Sequence, residues 1–345
     1  MLPKNKKKLS ILIPVYNEIE FLELFTSKLL NVFKNINTEY IFIDDGSNDG
    51  SKEWLINFVN NSQLKLQLID LKKNYGKGYA LHQGIKIASG DYLLFQDADL
   101  ELEPKDSLEM YNIILGDQSI NCVFGSRYLS GKLKKNKNYL NELVGKMNSL
   151  IFNFLFQESL SDIHCGTKII SKKVLDKLDL SIKDFGFEID IAAQISKLNY
   201  DIYEYGISYF ARTKDQGKKI TWVDGLKSYY HLFKTRFIQN DLATIFSIIY
   251  STSYMGFVGT YFGMGLGKYM VVAFFIIIGL FIGLHRKLFS STIILCLGYF
   301  GSFFSQGNGK IYTILIGFLI GIYISKIIIK FMKAKPQNKL IKFFI

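Results

Sequence analysis

The sequence predicts an α/β domain built on a mostly parallel sheet, followed by a C-terminal transmembrane helical region. Three observations predict it. Up to about residue 240, short apolar runs alternate with amphipathic ones. Acidic pairs follow two of those runs directly. Beyond residue 240, apolar stretches approach the roughly 20 residues that a membrane span needs.

Leu9–Tyr16, Tyr40–Ile43, Leu64–Leu71, Asp91–Phe95 and Cys122–Gly125 read as buried strands, rich in Ile, Leu, Val, Phe and Tyr and bounded by turn residues. Leu22, Phe25, Leu29, Val32, Phe33 and Ile36 recur at helical spacing between the first two. A second helix is expected over Gly78–Ala88. Strand–helix–strand repetition implies a parallel sheet covered on both faces. Such sheets bind ligands beyond the carboxyl ends of their strands, so functional residues should follow strands.

In the second region, Leu266–Leu284 carries one charge, Lys268, and Ile311–Ile324 carries none. Leu242–Met264 and Leu288–Ser305 are weaker spans, diluted by Gly, Ser and Thr. About four helices are expected over 241–332, after a soluble domain at 1–220 and an interfacial amphipathic helix at 221–240. Residues 333–345 form a basic tail. Lysines and arginines concentrate before the first span, between the second and third, and after the last. The positive-inside rule then makes this a multi-pass membrane protein with its N-terminal domain and C-terminus cytoplasmic. Residues 1–10 are polar and lysine-rich, so no N-terminal targeting segment is expected.

The net charge is +12, which suits nucleic acid, anionic lipid or phosphorylated substrates. The apolar C-terminal region turns that reading to the lipid bilayer, with no nucleic-acid partner. Cys122, Cys165 and Cys296 suggest neither a disulfide framework nor a zinc site. His82, His164, His231 and His285 show no metal-ligand spacing. Gly256, Gly259 and Gly263 have the small-residue spacing of packed spans and leave oligomerisation open.

Asp44-Asp45-Gly46-Ser47 ends the second strand in an acidic turn. Two carboxylates there can accept hydrogen bonds from a base or ribose, or approach a metal-bound phosphate; a capped helix start is the plainer alternative. Asp97-Ala98-Asp99 repeats the arrangement after the fourth strand. Hard divalent cations take oxygen ligands and Mg²⁺ shares substrate phosphates, so Asp97 and Asp99 are candidate metal ligands, with Glu101 supporting. Asn74-Tyr75-Gly76-Lys77-Gly78 sets Lys77 at a helix start, where it can meet phosphate.

Together with Ile13-Pro14-Val15-Tyr16-Asn17-Glu18, Ala88-Ser89-Gly90-Asp91 and Gly125-Ser126-Arg127-Tyr128, these stretches resemble the family 2 glycosyltransferases, nearest to the polyprenyl-phosphate sugar synthases. The likeness runs from about residue 9 to 237. It implies the nucleotide-diphospho-sugar transferase (GT-A, Rossmann-like) fold and transfer of a sugar, with inversion, from a nucleotide-diphosphate sugar to a polyprenyl phosphate or other lipid acceptor. It implies that Pro14, Tyr16, Glu18 and Asp45 line the nucleotide pocket beside Asp44. Asp97 and Asp99 would hold Mg²⁺ or Mn²⁺ on the donor diphosphate. Arg127, with Arg212, Lys218 or Lys219, would hold the acceptor phosphate. Asp162-Ile163-His164-Cys165-Gly166-Thr167-Lys168 and Phe187-Glu188-Ile189-Asp190 resemble two further family segments, Thr167 standing where an aromatic is usual. A phosphate acceptor needs no general base. A hydroxyl acceptor on a glycolipid or envelope glycan would need one, with Asp190, Glu188 or Asp162 as candidates. A third reading is a non-catalytic membrane protein that aids translocation of a lipid-linked sugar. The Gln-x-x-Arg-Trp motif of processive synthases is absent, so repeated polymerisation is not expected.

Overall fold

The computed structural model describes residues 7–129, 134–135, 139–182, 184, 186–212, 222–238, 242–260, 267–284, 292–293, 295–297, 299 and 309–331. The chain divides into two units, the first ending at Leu232 and the second beginning at Phe233.

The first unit opens with β1 (Leu9–Val15), α1 (Ile19–Phe33), β2 (Thr38–Asp44), α2 (Ser51–Asn60), β3 (Leu66–Asp70), α3 (Lys77–Ile87), β4 (Tyr92–Phe95) and α4 (Pro104–Gly116). These strands pair in parallel in the order β3-β2-β1-β4. The alternation of β1 explains the two layers. Ile11, Ile13 and Val15 face Leu22, Phe25 and Leu29 of α1 and Met110 of α4 on one side. Leu12, with Ile41 and Ile43, faces Ala80 and Leu81 of α3 on the other. A strand buried on both faces is apolar at most positions, which is why β1, the middle of β2 and β4 read as continuous hydrophobic runs; β3, expected to be buried, lies at the edge of the sheet and is only partly covered.

The second half departs from the expected pattern. After β5 (Cys122–Ser126), β6 (Lys134–Lys135) and α5 (Tyr139–Phe156), β7 (Lys168–Ser171) inserts antiparallel between β4 and β5. α6 (Lys172–Leu175), α7 (Phe187–Lys197), β8 (Tyr203–Gly206) and β9 (Tyr209–Phe210) follow, β8 pairing parallel to β5 and β9 to β6. The main sheet is therefore mixed, in the order β3-β2-β1-β4-β7-β5-β8. β7 is only four residues long, begins with Lys168 and is followed by Lys172, too short for its periodicity to announce it.

α8 (Trp222–Phe233) occupies the first part of the 221–240 segment read as an interfacial amphipathic helix. Its Leu232 is buried with the α5 and α7 side chains, and His231 Nε2 lies 3.1 Å from Asp184. Tyr230 on the same helix is exposed.

The second unit holds α9 (Leu242–Gly259), α10 (Gly267–Leu284) and α11 (Gly309–Phe331). α9 and α10 pack so closely that a Cβ on Gly279 would stand 2.6 Å from the Thr252 Cα. Counted over the described residues, no helix is long and apolar enough to cross a membrane. Parts of α9, α10 and α11, and most of 288–305, fall outside the residues or side chains described.

Candidate active site

The site forms where β1, β2 and β4 end side by side. Val15 is in register with Asp44, and Leu12 with Phe95, so the loops that follow converge at one edge. Pro14 and Val15 close β1, and Tyr16 leads into the loop to α1. Asn17 there adopts a left-handed φ of 52°, and its side-chain carbonyl accepts the Asn48 N–H at 2.9 Å. The Glu18 N–H donates to Ser51 Oγ at 2.9 Å. The exits of β1 and β2 are thus laced together.

Asp45 does the same for the third loop. Its carboxylate accepts the N–H groups of Tyr75 and Gly76 at 2.8 and 2.9 Å. Burial raises its pKa, and those two hydrogen bonds oppose the rise. Gly46 is required between them: its φ is +72°, and a Cβ would stand 2.4 Å from the Lys73 carbonyl carbon. Asp44 is fully buried, with one oxygen accepting the Ser47 N–H at 3.1 Å and the other, Oδ1, lacking a hydrogen-bond partner. Burial raises its pKa as well.

Asp97 and Asp99 follow β4. Lys77, at the first turn of α3, lies 2.8 Å from Asp97 Oδ1 and 2.8 Å from Glu188 Oε1, bridging β4 to the start of α7. Glu188 Oε2 is buried with no hydrogen-bond partner. Gly166 passes directly over this pair, for a Cβ there would fall 2.1 Å from Asp97 Oδ2 and 3.1 Å from Lys77 Nζ. Asp99 Oδ1 accepts the Glu101 N–H at 3.1 Å, a turn that holds Leu100 at a left-handed φ of 57°. Strain of this kind costs on the order of 1–3 kcal/mol and is held only by surrounding structure. Burial, then Asp97 and Glu101, push the Asp99 carboxyl up to about 7, against the pull of Arg212.

Arg212 is the second cation of the site. Its guanidinium lies 2.7 Å from Glu18 Oε2 and 3.1 Å from Asp99 Oδ2. Among the described residues, Glu18, Asp97, Asp99, Glu101 and Glu188 gather around Lys77 and Arg212. Ionised, these five carboxylates outnumber the two cations described beside them. A diphosphate enters such a place only with a cation. Among the described residues, no group of three or more His, Cys, Asp or Glu side chains is arranged to hold a metal ion. Mg²⁺ commonly takes one or two carboxylates plus phosphates and water, so the Asp97–Asp99 pair fits that chemistry.

Several expected residues have protein partners of their own. Glu101, expected with the metal ligands, turns its Oε1 to the Arg212 backbone N–H at 2.8 Å. Arg212, expected on the acceptor phosphate, is taken up by the donor-side acids. Asp190, expected as a catalytic residue, is fully buried; Oδ2 accepts the Ser181 and Ile182 N–H groups at 2.9 and 3.2 Å, and Oδ1 accepts from Gln194 at 2.7 Å. It fastens the chain ahead of α7. Arg127 makes a two-pronged pair with buried Asp162 at 2.7 and 2.9 Å and lies 5.3 Å from the Tyr209 ring centroid. Burial alone would raise the Asp162 pKa, but Arg127 holds it below its ordinary value. Lys218 and Lys219 lie outside the described residues.

Two residues received no role from the sequence. Lys168 is buried, with its ammonium donating to the Ile163 carbonyl at 3.2 Å and to that of Cys165, which shapes the loop bearing Gly166. Burial lowers its pKa. Glu204 receives the N–H groups of Ser161 and Asp162 at 2.8 and 3.0 Å, fixing the same loop from β8.

Comparison with known proteins agrees with this geometry. The profile described as Glycosyl transferase family 2 matches residues 10–179. A dolichol-phosphate mannosyltransferase of Pyrococcus furiosus is 28% identical over 77% of this chain and 75% of its own length. A dolichyl-phosphate beta-glucosyltransferase of Dictyostelium discoideum is 27% identical over 61% of this chain and 68% of its own length. The solved glucosyl-3-phosphoglycerate synthase of Mycobacterium tuberculosis, in complex with Mn²⁺, uridine diphosphate and glucosyl-3-phosphoglycerate, superposes with a TM-score of 0.53 at 17% identity, covering 67% of this chain and 80% of that one; the likeness is one of fold. Residues 10–179 are thus a glycosyl transferase family 2 domain in a GT-A-like α/β fold with a mixed sheet, and the chain is a glycosyltransferase.

Proposed function

We propose that this enzyme moves a sugar from a nucleotide-diphosphate sugar to a polyprenyl phosphate, with inversion at the anomeric carbon. The likeness to dolichol- and dolichyl-phosphate sugar transferases supports the acceptor. The observation that carries the donor side is the acid pair Asp97–Asp99, set beside the Asp45-anchored loop, with acids outnumbering cations among the described residues. Asp97 and Asp99 would hold Mg²⁺ or Mn²⁺, which, when bound, neutralises the charge of the departing diphosphate. Pro14, Tyr16, Glu18, Asp44 and Asp45 line the nucleoside side. Lys77 keeps the Asp97 carboxylate aimed while its own charge is shared with Glu188. Arg127, with Lys218 and Lys219, receives the acceptor phosphate, whose oxygen attacks in line and needs no base.

One observation favours a second reading. Glu188 Oε2 is a carboxylate oxygen without a partner, one lysine away from Asp97. Were the acceptor a hydroxyl, Glu188 rather than Asp190 would be its base.

The second unit supports attachment to a bilayer. Phe274, Ile277, Leu315, Ile316 and Leu319 are exposed on its helices, where water would be a poor neighbour. In this reading it is a multi-pass membrane protein with the catalytic unit and C-terminus cytoplasmic.

The test is a donor screen with purified full-length protein, polyprenyl phosphate and either Mg²⁺ or Mn²⁺. One nucleotide sugar should give a lipid-linked product, and Asp97→Asn and Asp99→Asn should each lower kcat/KM roughly 10²–10³-fold with an unchanged circular-dichroism spectrum. Wild-type rates in both variants would refute the donor site; transfer only to glycolipid hydroxyls would select the second reading.

A further inference from the structure

The stretch from Asp162 to Lys168 joins the two ends of the site. Asp162, at its start, holds the Arg127 guanidinium at 2.7 and 2.9 Å. Gly166, near its end, lies against Asp97 and Lys77, where a Cβ would fall 2.1 Å from Asp97 Oδ2. His164 stands midway between them. From Asp162 to Lys168 every residue is buried except His164 and Gly166.

The backbone on both sides of His164 is tied down. The Asp162 N–H donates to Glu204 at 3.0 Å, and the Ile163 N–H to Ser149 Oγ at 3.3 Å. The Ile163 and Cys165 carbonyls both accept from Lys168. The ring itself is held by Asn148, a buried residue of α5, whose Nδ2 lies 3.0 Å from Nε2. Asn148 is the one hydrogen-bond partner of this side chain among the described residues, so Nδ1 is left for another. A ring fixed this firmly loses little freedom when it takes a ligand, which is what a recognition residue requires.

The ring is also uncharged. Burial lowers its pKa from 6.5 to about 4, against the opposing pull of Asp162. A neutral imidazole competes poorly for phosphate, which draws Arg and Lys. With a pKa near 4 it is a weak base at neutral pH. It suits an uncharged hydroxyl, which can both donate and accept.

Its place says whose hydroxyl. Transfer carries the sugar from a diphosphate beside Asp97 to an acceptor beside Arg127, and His164 lies between the two residues that touch those side chains. We propose that His164 Nδ1 hydrogen-bonds a ring hydroxyl of the transferred sugar and so selects among nucleotide sugars. This rests on the reading of Asp97 and Arg127 as the donor and acceptor ends of one site.

Binding measured without an acceptor tests it, because the identity of the acceptor then does not enter. Full-length protein with Mn²⁺ is titrated calorimetrically with UDP, GDP, UDP-glucose, UDP-galactose, UDP-N-acetylglucosamine, GDP-glucose and GDP-mannose. His164→Ala should weaken the tightest-bound nucleotide sugar about tenfold, narrow its lead over its epimer, and leave the bare nucleoside diphosphate within about twofold. His164→Gln, uncharged and able to hydrogen-bond, should hold that nucleotide sugar within about threefold of wild type. A loss in His164→Ala that falls equally on nucleotide sugar and bare diphosphate makes the residue structural and overturns the inference. An unchanged order of preference among the sugars overturns it as well. Transfer to polyprenyl phosphate is measured alongside. Sugar-selective weakening with no such transfer upholds His164 and overturns the acceptor reading; transfer with selectivity unaltered in His164→Ala does the reverse. A wild type that binds none of the panel overturns both.

Discussion

At the scale of single residues, the site depends on contacts between groups far apart in sequence. Gly166 is the sharpest case. It has no φ that demands glycine, yet any side chain there strikes the Asp97 carboxylate. Gly166→Ala should therefore lower transfer by about 10²-fold while thermal unfolding shifts little, because the displaced group belongs to the chemistry and not to the core. The Arg127–Asp162 pair makes the opposite prediction. Asp162 is fully buried, and removing it strands a guanidinium. Asp162→Ala should cost about 3–5 kcal/mol of stability, read as a lowered unfolding midpoint of the full chain in nanodiscs.

At the scale of elements, loops that leave parallel strands are held by carboxylates acting on backbone. Asp45 ties the turn after β2 to the turn before α3. Asp45→Ala should raise KM for the nucleotide sugar about tenfold, measured with the lipid acceptor saturating. Glu39 does comparable work on the opposite edge of the sheet. It is buried at the start of β2 and accepts from Ser10 Oγ at 2.5 Å, from the Ser89 N–H at 2.7 Å and from Lys8. Burial alone would raise its pKa, but these partners hold it at about 2 against an ordinary 4.5. A folded pKa below the unfolded one means the ionised form is favoured by folding. That stabilisation is complete above 4.5 and fades as pH falls toward 2. Wild type should therefore exceed Glu39→Gln in stability near neutral pH, and the gap should close between about pH 5 and pH 2 in chemical unfolding.

At the scale of the whole molecule, an α/β unit is followed along the chain by a strongly apolar helical one. If the second unit is lipid-bound, the protein should stay in the pellet when membranes are washed with alkaline carbonate; release into the supernatant would contradict this. The sequence alone determined the first five strands, the helices α1 and α3, and the strand-end positions of Asp44, Asp45, Asp97 and Asp99, because apolar runs and acidic turns at their ends are local patterns. Only the tertiary structure decided the antiparallel insertion of β7, whose four residues carry too little periodicity to be read. It also decided partnership: Lys77 with Glu188, Arg212 with Glu18 and Asp99, Asp190 with the backbone before α7. Composition can place a charge at the end of a strand. Which opposite charge meets it depends on how distant loops converge, and no local pattern encodes that.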